Sequence, residues 1–434
     1  MLDYLRRLIP ERHPLRLLYH KVLAFFAAVV YGFPASKMVV IGVTGTNGKT
    51  TTVNFITNIL AAASYKVAMT SSINFQIGDE KWGNPTKQTT MSPFMLQKFL
   101  RRALNEKCQY AVLEVTSHAI DQSRIFGINF DMAVITNIEP EHIEYHGNFN
   151  AYLNSKAKLF KKVSNGGRKP GVPKMLILNA DSQYYNYFNQ FVADRKITYG
   201  VKSGTIYASN VEKKSAGSTF SMHVPNNVVE MSVKLPGEFN IYNALCAAAC
   251  ALSLGIDLEI IRKAISESQS VPGRFEQVDF GQDFNVIVDY AHTPEALNSL
   301  FELYRKLTSG NLFVVFGATG GGRDKSKRPS MGQMANEFAD YIILTNDDPY
   351  MEDEWQIVDQ IASGVPRKEG HNFWKIPDRR EAIRLALMMA KEQDTVVVAG
   401  KGCEEIIITK EGKIPWNDKK VIGELIKREF KLQL

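Results

Sequence analysis

Apolar positions along this chain switch period repeatedly. Met38–Thr44, Tyr110–Val115, Asp131–Thr136 and Met175–Asn179 are short, almost unbroken apolar runs, the pattern of strands covered on both faces. Between and after them, Thr50–Ala63, Ala151–Lys162, Ser182–Ala193 and Phe239–Leu254 space their apolar residues as helices do. Such alternation predicts an α/β fold with a mostly parallel sheet and helices on both sides. Thr205–Lys234 departs from it, with short segments of alternating polarity that predict antiparallel strands. Pro and Gly punctuate the chain at "SQSVPG", residues 268–273. A second alternating series follows, with strands expected at Asn285–Asp289, Leu312–Phe316, Tyr341–Thr345 and Thr395–Ala399. The pattern therefore predicts a short helical N-terminal segment (1–36), a central α/β domain (37–270) and a C-terminal Rossmann-like α/β domain (271–434).

The N-terminal segment carries Leu15, Leu18, Val22, Phe25 and Val29 at helical spacing, and Val22–Phe33 is almost wholly apolar. That run is well short of the roughly 20 residues a membrane-spanning helix needs. Arg6, Arg7, Arg12, Arg16 and Lys21 outnumber Asp3 and Glu11 around it, an outline shared with secretory leaders. The glycine-rich turn that starts soon after Phe33 argues against a leader. Two places remain for the helix: docked on the following domain, or lying on a membrane surface.

With 45% hydrophobic and 22% charged residues, the chain has globular composition, and 434 residues suit two or three domains. A net charge of +7 reads as a basic surface receptive to anionic small molecules. No Lys/Arg block with interleaved aromatics stands out, so no nucleic-acid partner is expected. The four cysteines, Cys108, Cys246, Cys250 and Cys403, form neither a disulfide framework nor a zinc pattern. Cys246 and Cys250 lie in an Ala-rich helix and read as core, which fits a cytoplasmic protein.

Chemistry first declares itself at "VTGTNGKTTT", residues 43–52. A buried strand, a glycine turn, Lys49, Thr50 and a helix form a phosphate cradle. Backbone amides face the anion, Lys49 reaches the outer phosphates, and the Thr50 hydroxyl can serve Mg²⁺. Val43 stands where the usual phosphate-loop pattern has Gly. Glu114 falls at the C-terminal end of a predicted strand, where open α/β sheets bind ligands. Beside Thr116 and Ser117 it suits Mg²⁺. "HIEYH" (142–146) is not H-E-x-x-H, so it does not signal a zinc protease.

"GTNGKTT" resembles the Mur ligase family. "LEVTSHAIDQSRI" (113–125), "TNIEPEHIEYHG" (136–147), "YLNSKAKLF" (152–160), "GEFNIYNALCA" (237–247), "VPGRFE" (271–276), "DYAHTPEAL" (289–297), "GGGRDKSKRP" (320–329), "TNDDPY" (345–350) and "AGKGCE" (399–404) extend the resemblance in order. "DYAHTP" with "GGGRDKSKRP" looks most like the branch that adds a third residue to a muramoyl-L-Ala-D-Glu nucleotide. The resemblance implies an ATP- and Mg²⁺-dependent amide ligase of peptidoglycan precursor synthesis, working through an acyl phosphate. It implies ATP contacts at Gly45, Thr46, Asn47, Gly48, Lys49, Thr50, Thr51, Asn240, Asn243 and His292. Thr50, Glu114 and His142 would hold metal, with Lys156 carbamylated by CO₂ and supporting a second Mg²⁺. Lys158 is the rival for that role. Lys49, Lys156, Glu114 and His142 would form the catalytic set. Thr89, Thr90, Ser117, Gln122 and Arg124 would contact the acceptor. Arg323, Asp347, Asp348, Tyr350, Gly400 and Glu404 would contact the incoming amino acid. The family precedent also suggests a monomer.

Three departures bear on substrate. Tyr350 stands where the diaminopimelate-specific branch has Arg, and a phenol does not replace a guanidinium fork. Asp348 and Glu404 add negative charge, which suits an amine-bearing side chain, so lysine, ornithine and diaminopimelate all stay open. Cys403 stands where a histidine is usual. The family's uridine-binding N-terminal domain is also longer than 36 residues, which points to a different hold on the carrier. Competing readings are a folylpolyglutamate- or cyanophycin-type ligase and a non-catalytic scaffold. Intact Lys49, Glu114, His142 and Lys156 weigh against the scaffold.

Overall fold

The computed structural model describes residues 12–430 except Pro85, Lys87, Ser215, Ala216 and Arg323, with the backbone alone at Glu144 and Lys214. The chain divides into two compact units, Met1–Gln269 and Ser270–Leu434, and the segment from residue 12 to 36 belongs to the first.

The first unit opens with α1 (Pro14–Val30) and continues with β1 (Val39–Thr44), α2 (Lys49–Ala62), β2 (Val67–Thr70), β3 (Asn74–Ile77), β4 (Glu80–Gly83), α3 (Pro93–Asn105) and β5 (Tyr110–Glu114). Then come α4 (Ser117–Asp121), β6 (Met132–Ile135), α5 (Ile143–His146), α6 (Phe149–Asn165), β7 (Met175–Asn179), α7 (Tyr185–Asn189) and β8 (Arg195–Gly200). Strands β9 (Ile206–Lys214), β10 (Gly217–Val224) and β11 (Asn227–Val233) and helices α8 (Glu238–Ser253) and α9 (Leu258–Glu267) complete it. Eleven strands form one sheet in the order β11-β10-β9-β8-β7-β6-β1-β5-β2-β3-β4. The centre is parallel and the two margins are antiparallel. Central strands are buried on both faces, so they read as unbroken apolar runs. One core holds α2, α8 and α9 against one face, and a second holds α3 and α6 against the other.

Helix α7 is shorter than the Ser182–Ala193 pattern predicts. Side chains take the backbone amides before it: Asn179 Oδ1 accepts from the Asp181 N–H at 3.0 Å, and Ser182 Oγ from the Tyr184 N–H at 3.2 Å. Such local bonds favour turns over helix.

The second unit contains β12 (Glu276–Gln277), β13 (Asn285–Asp289), α10 (Pro294–Leu307), β14 (Leu312–Phe316), α11 (Arg328–Phe338), β15 (Tyr341–Leu344), α12 (Glu354–Ala362), β16 (Phe373–Lys375), α13 (Arg379–Met389) and β17 (Thr395–Ala399). A hairpin, β18 (Ile406–Thr409) and β19 (Gly412–Pro415), precedes α14 (Asp418–Phe430). Its sheet runs β12-β13-β17-β14-β15-β16, parallel apart from β12, with a core on each face. Among the described residues no helix is long and apolar enough to cross a membrane.

Candidate active site

Strand β1 lies between β5 and β6, so the turn after it sits beside Glu114 and Thr136. This is a switch point in strand order, where α/β sheets open a ligand crevice. Neighbouring side chains fix the turn's shape. Asn137 Oδ1 accepts from the Asn47 N–H at 2.8 Å, and Thr136 Oγ1 donates to Asn47 O at 2.7 Å. Thr46 Oγ1 accepts from the Glu139 N–H at 2.9 Å and lies 2.9 Å from Tyr152 Oη. Gly48 has φ 78°, and a Cβ there would fall 2.2 Å from Asn243 Oδ1. Asn243 in turn accepts its own support from α8, donating to Asn240 Oδ1 at 3.1 Å. The asparagine pair thus bears directly on the phosphate turn. Helix α2 begins at the next residue, and its first-turn amides, which no helix can satisfy internally, suit an anion. Lys49 Nζ folds back to Thr46 O at 2.6 Å.

Glu114 is buried, and its carboxylate takes Thr50 Oγ1 and the Ser72 N–H on Oε2, both at 2.9 Å. Ser72 Oγ approaches Oε1 at 3.0 Å and Thr89 Oγ1 at 2.9 Å. A buried carboxylate with hydroxyl neighbours beside a phosphate cradle is an all-oxygen donor set, the kind that fits Mg²⁺ shared with phosphate oxygens. His142 belongs to an aromatic cluster: its ring meets His118 edge-on at 4.6 Å and Tyr152 at 6.3 Å. Glu141 Oε2 is 3.6 Å from its Nε2.

Lys156 and Lys158 separate cleanly. Lys156 is 2% exposed, and its Nζ donates to Gly45 O at 2.6 Å and lies 4.6 Å from the Tyr152 ring centre. Burial, with Lys49 adding to it, pushes Lys156 well below the ordinary lysine pKa, against the pull of Glu141 and Glu114. Lys158 is half exposed and pairs with Asp121 at 2.8 Å.

The five expected acceptor contacts share one network. Thr90 Oγ1 donates to Glu114 O at 3.0 Å. Arg124 donates to Thr90 O at 3.0 Å and to Gln122 Oε1 at 2.6 Å, and Gln122 Nε2 reaches Tyr145 Oη at 3.4 Å. Ser117 Oγ lies 3.0 Å from His146 Nε2. Burial lowers His118 to about 3 and His146 to about 4, so both rings are neutral at pH 7. From the N-terminal segment, Arg12 donates to Asp121 Oδ2 at 3.0 Å and to His146 O at 2.6 Å.

In the second unit, Asp347, Asp348 and Glu404 bring carboxylate oxygens within 4.8 Å of one another. Sequence reasoning missed what stands among them. Fully buried Lys401 donates to Asp348 Oδ1 at 2.8 Å and to Glu404 Oε2, with Asp347 Oδ1 at 3.6 Å. Burial alone would lower this lysine, but the three carboxylates outweigh it and hold it above its ordinary value. Tyr290 Oη approaches Glu404 at 3.4 Å, and its carbonyl lies 2.8 Å from His292 Nδ1. Burial lowers the His292 pKa. Thr319 donates to Asp347 at 3.1 Å, and the Gly400 N–H donates to Asp289 O at 3.1 Å. Tyr350 has φ 54° and its ring closes over Gly321. Arg323 lies outside the described residues. Tyr152, Ser72, Asn137 and Tyr145 also escaped sequence reasoning. Only Tyr152 left a signal, one helical turn before Lys156 in "YLNSKAKLF".

A sheet whose switch point carries a glycine turn shaped for phosphate, joined in sequence to a second parallel α/β unit with a charged strand-end cluster, is the layout of a nucleotide-dependent ligase. The chain matches the Mur ligase middle domain over residues 43–251 and the Mur ligase glutamate ligase domain over residues 273–402. It is 38% identical over 408 residues to the UDP-N-acetylmuramoyl-L-alanyl-D-glutamate–2,6-diaminopimelate ligase of Geobacillus kaustophilus, covering 94% of this chain and 82% of that one. A solved structure of a ligase bearing the same name aligns with a TM-score of 0.65 at 30% identity, over 91% of this chain and 79% of that one. Folylpolyglutamate synthase of Mycobacterium tuberculosis, solved with ADP, shares the fold alone, with a TM-score of 0.69 at 17% identity over 88% and 92% of the two chains. The chain belongs to the Mur ligase family. It is an ATP-dependent ligase of peptidoglycan precursor synthesis.

Proposed function

We propose that this ligase joins a diamino acid to the free D-Glu carboxylate of a muramoyl-L-Ala-D-Glu nucleotide. The observation that carries the reading is the double role of Glu114. Its side chain holds Thr50 of the phosphate turn, while its carbonyl takes the hydroxyl of Thr90 in the acceptor network. That arrangement supports a site in which phosphoryl donor and acceptor meet across one residue. The name and 38% identity of the Geobacillus enzyme support the same substrates.

An acceptor carboxylate oxygen attacks the γ-phosphorus of ATP; the bond to the β-phosphate oxygen breaks and ADP leaves with its electron pair. The amine of the amino acid then attacks the acyl carbon, phosphate departs with the C–O pair, and the amine gives up a proton. Positioning and charge neutralisation supply most of the rate. Mg²⁺, when bound, neutralises phosphate oxygens, and Thr50, Glu114, His142 and a carbamate on Lys156 would hold it. Gly45, Thr46, Asn47, Gly48, Lys49 and Thr51 cradle phosphate, Asn240 and Asn243 support that cradle, and His292 contacts nucleotide. Lowering the Lys156 pKa favours its neutral amine, whose Nζ would bond to the carbon of CO₂ and give up a proton, leaving a carbamate anion.

Thr89, Thr90, Ser117, Gln122 and Arg124 orient the acceptor. Arg323, Asp347, Asp348, Tyr350, Gly400 and Glu404 receive the amino acid, and the acidic character of Asp348 and Glu404 suits its second amine. The enzyme works as a cytoplasmic monomer on small molecules, without nucleic acid. The test is phosphate release with UDP-muramoyl-L-Ala-D-Glu and diaminopimelate, lysine or ornithine. Release only when acceptor and one amine are both present is expected. Release with ATP alone, or no release with any pair, overturns the reading.

A further inference from the structure

Helix α1 is docked by the wrong face for a soluble protein. Its inner side is Ala24, Ala27 and Ala28, all fully buried. The fit is close: a Cβ on Gly127 would fall 2.5 Å from the Ala28 methyl. Arg101 of α3 fastens the end, donating to Tyr31 O at 2.8 Å and to Gly32 O at 3.1 Å. Leu17 and Leu23 are half-buried, but the other large apolar residues point outward instead. Leu18 and Phe26 are each 56% exposed and Val30 66%, with Leu15, Val22, Phe25 and Val29 exposed beside them. Phe94 and Met95 on α3, which packs against α1, are exposed as well. Burial normally places the bulky apolar stripe against the core and small or polar residues outside. A band of this size on a soluble surface marks a binding face.

Basic residues stand beside that band, with Asp121 pairing two of them, Arg12 and Lys158. Helix α1 carries Arg16 and Lys21 and no acid. Its Phe25 meets Phe126 with ring centres 6.1 Å apart, and Lys162 Nζ stands 5.9 Å from the same Phe126 ring. Lys162 belongs to a surface cavity of about 560 Å³ lined by Gly127, Asn129, Lys158, Lys161, Lys162 and Gly166. Gly127 is both the seat of α1 and the rim of this cavity.

We propose that α1 and the lysine cavity together dock this chain on an anionic phospholipid bilayer. The outer face of α1 lies at the boundary of headgroups and acyl chains, and the cavity takes a lipid phosphate. Charge complementarity selects this occupant. Basic amphipathic helices bind anionic interfaces through buried apolar area plus attraction to the headgroups. A second copy seated on this face would set α1 against α1, each with Arg16 and Lys21 and no acid of its own to answer them. The inference stands apart from the ligase reading, because vesicle binding is measured without turnover.

The experiment is flotation of the full chain with phosphatidylcholine vesicles, with and without phosphatidylglycerol, at about 0.1 M salt, where surface charges a Debye length apart are screened. Wild type is expected to float with the anionic vesicles only. Leu18→Glu/Phe26→Glu/Val30→Glu and, separately, Lys161→Glu/Lys162→Glu should each weaken that binding by about tenfold or more, at unchanged circular dichroism. A variant that misfolds is replaced by raising salt on wild type, which should release it. Three results overturn the proposal: no flotation of wild type, equal flotation of wild type and both variants, or a concentration-dependent dimer that the apolar triple variant abolishes. Saturation by inorganic phosphate without any vesicle binding would also overturn it.

Discussion

Gly48 and Asn243 are in contact across two elements far apart in sequence, and a Cβ on the glycine would stand 2.2 Å from the amide oxygen. The phosphate turn thus takes its shape from α8 as well as from its own glycines. Gly48→Ala meets a steric wall in a left-handed backbone, where a side chain costs about 1–2 kcal/mol before any clash. We expect kcat/KM for ATP to fall by about 10²-fold or more. Asn243→Ala, which opens room instead, should cost less, and Gly48→Ala/Asn243→Ala should recover part of the loss. Initial-rate kinetics over ATP concentration check all three.

Lys156→Ala removes the buried amine on Gly45 O and is expected to lower kcat by about 10²–10⁴-fold with a smaller change in KM for ATP. Stripping bicarbonate from the buffer should slow wild type and leave this variant's residual rate unchanged. Lys158→Ala, half exposed and turned to Asp121, should retain most activity. Intact-mass spectra with and without CO₂, the lysine variant serving as blank, give a second readout.

Lys401→Met strands Asp347, Asp348 and Glu404 around an apolar side chain. Breaking a buried pair typically costs about 3–5 kcal/mol. The thermal midpoint should drop sharply, and Asp348→Asn added to the variant should restore part of it. Equal midpoints for wild type and Lys401→Met, by calorimetry, would contradict the charge assignment.

These three sites differ in how far the chain announced them. Val39–Thr44 and Tyr110–Glu114 are buried on both sides, so their strands are plain apolar runs, and Glu114 is the first acid at a strand end. Met175–Asn179, Asn285–Asp289, Leu312–Phe316 and Thr395–Ala399 form strands with the bounds the pattern predicts. The four-residue strands between Val67 and Gly83 are too short to show a period, and no element is legible there. Partners at long separation were the other loss. Nothing near Asp347 in sequence says that Lys401 will enter its cluster, and nothing near Thr46 says that Tyr152 will reach it. The outward stripe of α1 was legible as a helix, but its direction was not, because three alanines carry no apolar signal strong enough to claim the inner side.

Asp121 joins two elements by accepting from Arg12 at 3.0 Å and Lys158 at 2.8 Å. Burial alone would raise its pKa, but these two cations outweigh it and hold the carboxyl below its ordinary value. A carboxyl depressed in the folded state contributes stability that is complete above its unfolded pKa of about 3.9 and is lost as pH falls through the folded value. Asp121→Asn should therefore cost about 1 kcal/mol at pH 7, both cations being partly exposed. The gap from wild type should close below about pH 4. Urea unfolding of both proteins over a pH series checks the sign.

The seam between α1 and Gly127 subjects one short helix to two unrelated rules. Where Ala28 meets Gly127 there is a ceiling on size, since a methyl group already fills the gap; the outward residues answer to oiliness with no ceiling at all. A library randomised at Ala28, Leu18, Phe26 and Val30 would return only Gly, Ala and Ser at the first and an interchangeable mixture of Leu, Ile, Met and Phe at the others.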